Sequence, residues 1–294
     1  MTDCKLVESF FIEQTAKQRA LINQYLQHNL EELLPANTEA DLELKKSVQY
    51  SLLQNGKKFR PVLCLLTAQA LHCAEEKVLP LAAAIEMIHT YSLIHDDLPC
   101  MDNDDFRRGQ PTNHKVFGES TALLAGDCLL TLSFELLANK FPDNSALAVQ
   151  LIRLLTQAAG FAGMIGGQAV DIKAKTDKLT RVDDLLKMHA RKTGAMIRIC
   201  CEGTALVAGA KDKEILLWKK FGEQLGLAFQ IKDDLLDSEP GKLEEGSIPE
   251  LLGWDQTKIL LEETQSQAQL ILTELGLANC LLKNMLEYNF SREL

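Results

Sequence analysis

The stretch from Ile94 to Pro111, IHDDLPCMDNDDFRRGQP, places many charges directly after an apolar run. Pro99 cannot continue a helix, so we expect the preceding helix to end near Leu98. Asp96 and Asp97 would then lie at the negative end of the helix dipole, where carboxylates are disfavoured. A hard divalent cation removes this conflict, because Mg²⁺ binds carboxylate oxygens together with phosphate oxygens. The charged residues of the stretch are Asp96, Asp97, Asp102, Asp104, Asp105, Arg107 and Arg108.

A second acidic cluster ends another helical run, FQIKDDLLD, at residues 229–237. Asp233 and Asp237 are four residues apart and therefore project from nearly the same helix face, with Asp234 one step round. Like charges at this spacing repel, so they need a counterion. Metal sites in helical bundles are often built from carboxylates on facing helices. The pair of clusters therefore predicts two sets of carboxylates that face each other across a bundle.

The first cluster cannot align on an unbroken helix, because Asp96 and Asp102 are six residues apart. The turn at Pro99 must therefore bring Asp102 round. Either cluster alone is also compatible with a solvated acidic surface. An EF-hand does not fit, since counted from Asp102 a ligand position is occupied by Phe106 and the obligatory glycine position by Arg107.

Three basic segments accompany the acids. Guanidinium groups suit bidentate phosphate contacts, and the helix after HARKTG could add backbone N–H groups. The NGKKFRP segment can equally be a plain connecting turn, and the two arginines can equally neutralise Asp104 and Asp105. Acids and bases together predict a site for two diphosphate groups, one held through metal and one through Arg and Lys. The residues concerned are Lys57, Lys58 and Arg60 in NGKKFRP, Arg107 and Arg108, and Lys192 with Thr193 in HARKTG.

The rest of the chain has helical periodicity almost throughout. No run alternates clearly enough for a strand, so the predicted fold class is all-α, a helical bundle. Sparse proline and the lack of a long polar linker favour one domain over residues 1–294. The segment VLPLAAAIEMIHTYSLI is apolar on nearly every side and is expected to be buried all round. The predicted helices cover residues 3–30, 39–54, 60–73, 76–98, 119–139, 144–172, 181–190, 194–209, 212–237, 255–275 and 278–289.

Composition argues against several classes of function. The net charge of −10 is unlike that of general nucleic-acid binders and disfavours docking on an anionic membrane. No segment resembles an uncharged apolar span and MTDCKLVESFF lacks signal-peptide features, so we expect a cytoplasmic protein without membrane insertion. The eight cysteines contain no CxxC pair, which predicts reduced thiols. His89 and His95, six residues apart, lack the spacing of zinc ligands.

The motifs GKKFRP, YSLIHDDLPCMDNDDFRRGQPT, LLAGDCLL, GMIGGQAVDI, KTGAMIR and FQIKDDLLD occur in this order. Together they closely resemble the short-chain trans-isoprenyl diphosphate synthases, most of all the bacterial farnesyl diphosphate synthases (geranyltranstransferases). The resemblance covers roughly residues 40–237. It implies an all-α bundle of the isoprenoid synthase type around a deep central cavity, usually a homodimer, that requires Mg²⁺. Such enzymes condense isopentenyl diphosphate with an allylic diphosphate.

The resemblance also assigns roles to individual residues. Lewis-acid stabilisation of the leaving diphosphate suits Mg²⁺, and the Thr193 hydroxyl and Gln230 amide can stabilise the allylic cation as oriented dipoles. The isopentenyl double bond then attacks that cation, and the released diphosphate is expected to take the final proton. The implied metal ligands are Asp96, Asp97 and Asp102 in the first cluster and Asp233, Asp234 and Asp237 in the second. The implied isopentenyl diphosphate site is Lys57, Arg60, His89 and Arg108, and the allylic side is Arg107, Lys192, Thr193 and Gln230.

Product length is expected to depend on Tyr91. It lies five residues before Asp96, which is about 7.5 Å along a helix with a rise of 1.5 Å per residue. A bulky residue at this position of the family is associated with stopping at fifteen carbons, so the resemblance favours farnesyl diphosphate. Simple packing of Tyr91 in the core is an alternative that can hold at the same time.

The chain departs from the family pattern after Asp237. Relatives usually continue with a longer segment that contains two Gly-Lys steps, whereas SEPGKLEEGSIPELLG is shorter. Lys242 is its only basic residue, and Glu245 stands where the second lysine would fall. Either this protein has lost part of a flap over residues 238–250, or the printed chain omits a mobile stretch; we favour the second explanation.

Other activities stay open at this point. Within the same family these are synthesis of geranyl or geranylgeranyl diphosphate and a catalytically weak regulatory subunit, against which both intact acidic clusters argue. A class I terpene cyclase shares the first cluster but has less need of a second diphosphate site built from Lys57, Arg60 and Arg108.

Overall fold

The computed structural model describes residues 12–54, 56–277 and 280–291, and most of these residues are helical. The all-α prediction is confirmed. The helices are α1 Ala16–Leu33, α2 Glu39–Leu52, α3 Phe59–Ala70, α4 Glu75–Asp96, α5 Asn113–Phe117, α6 Glu119–Lys140, α7 Ser145–Ala159, α8 Met164–Ala174, α9 Val182–His189, a π-helix Ala190–Gly194, α10 Ala195–Val207, α11 Asp212–Leu236, α12 Ile248–Leu252, α13 Trp254–Glu274 and α14 Leu281–Ser291.

The chain divides into two compact units. The loop unit comprises Ala16–Leu65 and Glu76–Ile152 and contains the acidic stretch. The π-helix unit takes its described residues from Met1–Thr15, Leu66–Glu75 and Arg153–Leu294 and contains the π-helix. The expectation of one domain over residues 1–294 stays a prediction.

Helix α4 is the central element of the loop unit. Its side chains from Val78 to Ile88 are all buried, and so are Tyr91 and Ile94 nearer its end. This confirms that the helix is buried all round. Its last residue is Asp96, two residues before the predicted end, because the turn at Pro99 already begins at Asp97.

In the π-helix unit, two glycines allow neighbouring helices to approach closely. A Cβ added at Gly167 on α8 would lie 2.3 Å from the backbone nitrogen of Lys192, and one added at Gly226 on α11 would lie 2.9 Å from the Cα of Gly194. Only glycine allows these backbones to approach so closely. The π-helix is thereby held between α8 and α11. An apolar core supports this arrangement and includes Leu185, Met188, Ala228, Ile231, Leu235, Ile248 and Leu261.

Three local predictions need correction or restriction. The continuous helix over 144–172 is wrong: the chain turns between α7 and α8, where a Cβ at Gly163 would lie 2.0 Å from the carbonyl oxygen of Ala158. The expectation of no strand is wrong for one short antiparallel pair, β1 Phe106–Arg107 and β2 Gln110–Pro111. The predicted helical residues 3–11 and 278–279 lie outside the described residues.

Three helical segments are long and apolar enough to cross a membrane by length and composition, so the expectation that none approaches such a span is wrong. They are Glu75–Asp96, Glu119–Lys140 and Ser145–Ala174, the last spanning α7 and α8. In Glu75–Asp96, 78% of the most apolar stretch is buried inside the protein. A helix buried on all sides needs the same composition as a membrane span, which explains the similarity for Glu75–Asp96.

Candidate functional site

The turn after α4 returns Asp102 to the end of the helix. The backbone N–H of Asp102 donates to the carbonyl of Asp96 at 2.9 Å, and that of Asn103 donates to Leu98 at 3.2 Å. Asn103 accommodates the turn with a φ of 56°. The predicted return of Asp102 is confirmed, so three aspartates of the first cluster lie at one helix end.

Asp97 is buried and makes two short contacts with Arg107. It is 3% exposed, and its Oδ1 accepts from Nε and Nη2 of Arg107 at 2.6 and 2.5 Å. Arg107 also donates to Asp104 at 3.1 Å. Burial raises the pKa of Asp97 despite the opposing effect of Arg107. Burial lowers the pKa of Arg107, but the hydrogen bond and charge of Asp97 outweigh it and raise that pKa overall.

Arg108 occupies the turn of the β1–β2 hairpin. Arg108 and Gly109 have φ values of 55° and 77°, the positive pair typical of a tight two-residue hairpin turn. A non-glycine residue in this conformation is uncommon. The guanidinium of Arg108 packs on Gly56, where an added Cβ would lie 2.9 Å from Nη1. The hairpin therefore lies beside the GKKFRP segment.

The two lysines of GKKFRP have opposite environments. Lys57 is exposed, whereas Lys58 is 3% exposed and has a φ of 45°. The Nζ of Lys58 lies 3.0 Å from Oε1 of Glu86 and donates to the carbonyl of Leu52 at 2.7 Å. The interpretation of Lys58 as a presented base is therefore wrong, because its charge is already neutralised in the core.

Arg60 and His89 form a pair. Nη1 of Arg60 lies 3.3 Å from Nε2 of His89. Arginine can only donate, so Nε2 of His89 is the acceptor. Burial, reinforced by the positive charges of Arg60, Arg108 and Lys58, holds the pKa of His89 well below its ordinary value. A neutral imidazole thus lies among several cations.

Tyr91 lies on α4 at 4% exposure, and burial followed by the charge of Asp96 raises its pKa to about 12. Its ring contacts His95 edge to face at 5.7 Å between centroids. His95 is itself held by the carbonyl of Leu123 at 3.0 Å, and its Nε2 lies only 2.1 Å from where a Cβ at Gly126 would be. Gly126, within the motif LLAGDCLL, therefore makes room for the His95 ring.

In the π-helix unit, three predicted residues form one network. The Thr193 hydroxyl donates to Oε1 of Gln230 at 3.0 Å, and Nε2 of Gln230 donates to Asp233 at 3.2 Å. Lys192 lies 2.5 Å from Asp171, which belongs to the motif GMIGGQAVDI. The structure thus brings Lys192, Thr193, Gln230 and the second cluster into one unit.

Sequence reasoning did not single out His189, which contacts two residues that it did predict, Gln230 and Asp234. It is 9% exposed, its Nδ1 lies 3.0 Å from Oε1 of Gln230 and its Nε2 lies 3.4 Å from Asp234. The motif HARKTG contains this histidine three residues before Lys192, nearly one helical turn away. This spacing from Lys192 could have indicated that His189 lies near Thr193 and Gln230.

The second cluster lies at the end of α11. Asp237 caps the helix and its N–H donates to Asp233 at 2.9 Å, while Asp234 accepts from the backbone N–H of Ile248 at 2.8 Å. Burial raises the pKa of Glu244, and the negative charges of Asp237 and Asp234 raise it further. Several negatively charged groups therefore lie close together at this helix end.

The segment after Asp237 forms tight turns. Glu239 and Lys242 exchange backbone hydrogen bonds of 3.0 and 2.9 Å, with Gly241 at a φ of 88° between them. Glu245, which stands where relatives would carry a second lysine, is ion-paired with Lys178. The expectation that the printed chain omits a mobile stretch at this point stays a prediction.

Each unit contains a pocket. One of about 650 Å³ in the π-helix unit is lined by Arg191, Arg198, Glu223 and Leu227 among others, but by neither acidic cluster. One of about 20 Å³ in the loop unit is lined by Asp97, Arg107 and Arg108 among others.

Within residues 12–54, 56–277 and 280–291, no three His, Cys, Asp or Glu residues are arranged to hold a metal ion. The seven cysteines in these ranges are free thiols.

Comparison with known proteins gives a consistent result. The polyprenyl synthetase family model matches residues 41–246. The chain is 44% identical to a farnesyl diphosphate synthase of Geobacillus stearothermophilus over 85% of this chain and 81% of that protein. It is 40% identical to one of Bacillus subtilis (strain 168) over 85% and 89%. An apo crystal structure of an FPP/GFPP synthase from Zymomonas mobilis superposes with a TM-score of 0.86 at 33% identity, covering 94% of this chain and 99% of that one.

Proposed function

The chain belongs to the polyprenyl synthetase family, and on this basis we propose that it is a Mg²⁺-dependent prenyltransferase that makes farnesyl diphosphate from isopentenyl diphosphate and dimethylallyl or geranyl diphosphate. The observation that carries the proposal is the identity of 40–44% to bacterial farnesyl diphosphate synthases over 85% of the chain. In this reaction the allylic C–O bond breaks, the isopentenyl double bond attacks the resulting cation, and a proton leaves with the released diphosphate.

The carboxylates of the two clusters would hold Mg²⁺ together with substrate oxygens. Magnesium commonly uses one or two carboxylates and completes its shell with phosphate oxygens and water, so it needs no cage of three protein ligands. Burial raises the pKa of Glu244, and the negative charges of Asp237 and Asp234 raise it further; the contribution of these charges supports a place for positive charge at the second cluster. When bound, Mg²⁺ supplies Lewis-acid stabilisation of the leaving diphosphate. The residues are Asp96, Asp97 and Asp102, and Asp233, Asp234 and Asp237.

The isopentenyl diphosphate would bind beside the hairpin turn. Arg108 and the GKKFRP segment are adjacent, which supports a shared anion site for Lys57, Arg60 and Arg108. Neutral His89 accepts a hydrogen bond from Arg60. This contact orients the Arg60 guanidinium group without adding a further charge. Arg107, already bound to Asp97 and Asp104, would orient the first cluster and meet the allylic diphosphate with its remaining donors.

The allylic cation would be stabilised from the π-helix. Thr193 donates its hydroxyl proton to Gln230, which leaves its oxygen lone pairs available to face positive charge. Lys192, paired with Asp171, would contact the allylic diphosphate. No protein nucleophile is required, because the released diphosphate can take the final proton.

Fifteen carbons is the proposed product length. The burial of Tyr91 and its ring contact with His95 support a rigid side chain at the position that would limit the growing prenyl chain. Geranyl and geranylgeranyl diphosphate are the alternative products, and a weakly active regulatory subunit is the alternative role.

We also propose a cytoplasmic homodimer. On α6, Leu123 and Leu124 are 47% and 55% exposed. Exposed apolar side chains on helices of this hydropathy are typical of a surface that another subunit covers.

One assay tests the enzyme against its rivals. The protein is incubated with Mg²⁺, isopentenyl diphosphate and geranyl diphosphate, and the prenyl product is sized after dephosphorylation. We expect a fifteen-carbon alcohol. Cyclic hydrocarbon from geranyl diphosphate alone would indicate a terpene cyclase, and no product would indicate a regulatory subunit; either result refutes the proposal.

A further inference from the structure

His189 is the most informative residue that the proposed mechanism does not use. It ends α9 immediately before the π-helix, and it is buried. Its Nδ1 and Nε2 face two residues of α11 that are four apart, Gln230 and Asp234. The imidazole therefore bridges one face of α11 next to the π-helix that carries Thr193.

The contacts of the Gln230 amide indicate which group donates and which accepts in each hydrogen bond. In the amide orientation of this structure, Oε1 of Gln230 faces His189 and can only accept, so His189 donates to it from Nδ1. The Thr193 hydroxyl donates to the same oxygen, and the Gln230 NH₂ group is directed to Asp233. The amide orientation is favoured on both sides, because a reversed amide would place its NH₂ group against the Nδ1–H of His189 and its oxygen against the Asp233 carboxylate.

We propose that His189 is a positioning residue that holds the Gln230 amide in this orientation and thereby sets the polarity of the Thr193 hydroxyl. With the amide held, Thr193 must donate to Gln230 and presents its lone pairs elsewhere. If the amide reversed, Thr193 would accept from the Gln230 NH₂ group and direct its own proton outward. A hydroxyl proton directed at a developing cation is repulsive, whereas a lone pair is attractive.

This inference rests on the proposed function, in which Thr193 faces the allylic cation. It concerns stabilisation of the transition state rather than substrate binding. Loss of the His189 donor should therefore lower kcat and leave the KM for geranyl diphosphate almost unchanged.

The test uses a matched pair of variants, His189→Leu and His189→Asn. The two side chains have nearly the same shape, but only asparagine can donate an N–H to Oε1 of Gln230. We expect His189→Leu to lower kcat about 10- to 100-fold with KM within about 3-fold, and His189→Asn to recover most of kcat. Equal kcat in the two variants, or a change confined to KM, would overturn the positioning role.

A second readout does not depend on activity. In protein labelled with ¹⁵N at glutamine side chains, the NH₂ resonance of Gln230, assigned through Gln230→Glu, should move in His189→Leu and return in His189→Asn. If His189→Leu does not fold, Thr193→Val removes the other donor and should move the same resonance. An unmoved resonance overturns the inference. A wild-type protein that makes no prenyl product contradicts the proposed function instead, and the resonance test stands independently.

Discussion

Two pairs of adjacent basic residues illustrate how environment separates chemical roles. Lys58 is ion-paired with Glu86 in the core, while Lys57 is exposed. Arg107 contacts Asp97 and Asp104, while Arg108 lies on the surface in a positive-φ turn. A buried base neutralised by an acid stabilises a local structure, whereas an exposed one can recruit an anion.

At the same scale, Asp96→Ala should abolish most turnover. Loss of one carboxylate from the first cluster removes a proposed metal ligand, so we expect kcat to fall by orders of magnitude. Asp105→Ala is the matched control, because Asp105 is exposed and its carboxylate is ion-paired with Lys115. Steady-state kinetics and circular dichroism check the pair; unchanged activity in Asp96→Ala would remove its metal role.

Tyr91→Ala should lengthen the product. Removing the ring leaves space where the prenyl chain would otherwise stop, so twenty-carbon and longer products are expected from the same substrates. Among the described residues, the buried Tyr91 hydroxyl has no hydrogen-bond partner, so Tyr91→Phe should keep the fifteen-carbon product. Chromatography of the dephosphorylated products distinguishes the variants, and a product of unaltered length from Tyr91→Ala would show that the ring only packs in the core.

We expect the stability of the folded protein to depend on pH because of His89. Its pKa in the folded protein is below the ordinary value of 6.5, so below that pH the unfolded chain binds a proton that the folded protein does not. Stability should therefore be lost as pH falls below about 6.5. His89→Gln should reduce this loss in urea unfolding at pH 7.5 and 5.5, whereas the exposed His28→Gln should not. An identical pH loss in all three proteins would contradict the assignment.

Among the elements, the turn before α3 and the hairpin after α4 hold the proposed diphosphate contacts of the loop unit. Arg108 packs on Gly56 across these two connections, and Lys58 anchors the turn to α2 and α4 through Leu52 and Glu86. Short connections can present charged groups reproducibly only when their backbones are tied to helices. The buried Lys58–Glu86 pair is such a tie.

Lys58→Met should destabilise the protein strongly. It leaves the Glu86 carboxylate buried without its partner, at a cost of about 3–5 kcal/mol in the free energy of unfolding. The double variant Lys58→Met with Glu86→Leu should regain most of that loss, since no lone charge remains buried. Urea unfolding of the three proteins measures this; a double variant as unstable as the single one would mean that packing, not charge, is decisive.

For the whole molecule, oligomeric state is the property to test. We expect a dimer of about 65 kDa, twice the subunit mass of 32.7 kDa. Leu124→Arg places a charge on the exposed apolar face of α6 and should shift sedimentation toward the monomer. Leu270→Arg, at a site 61% exposed on α13, is the control that should leave the mass unchanged. A monomeric wild-type protein, or a dimer insensitive to Leu124→Arg, would contradict this surface.

Much of the fold was predictable because helical periodicity is a local property. The all-α class, the buried character of α4 and the return of Asp102 to Asp96 all follow from residue spacing and proline. The break at Gly163 was not predicted, because apolar periodicity continues through it and only a close carbonyl contact requires it. The β1–β2 pair was missed because two-residue strands carry too little pattern.

The sequence by itself determined the chemistry available to this protein: two carboxylate clusters, basic segments in a specific order and a family resemblance that comparison bears out. Only the tertiary structure decided which neighbouring charges are already satisfied, as in Lys58 and Arg107. It also decided that His189 contacts Gln230, 41 residues away. The physical reason is that composition and spacing set charge and periodicity, whereas the partner of a buried polar group depends on which distant helices pack together.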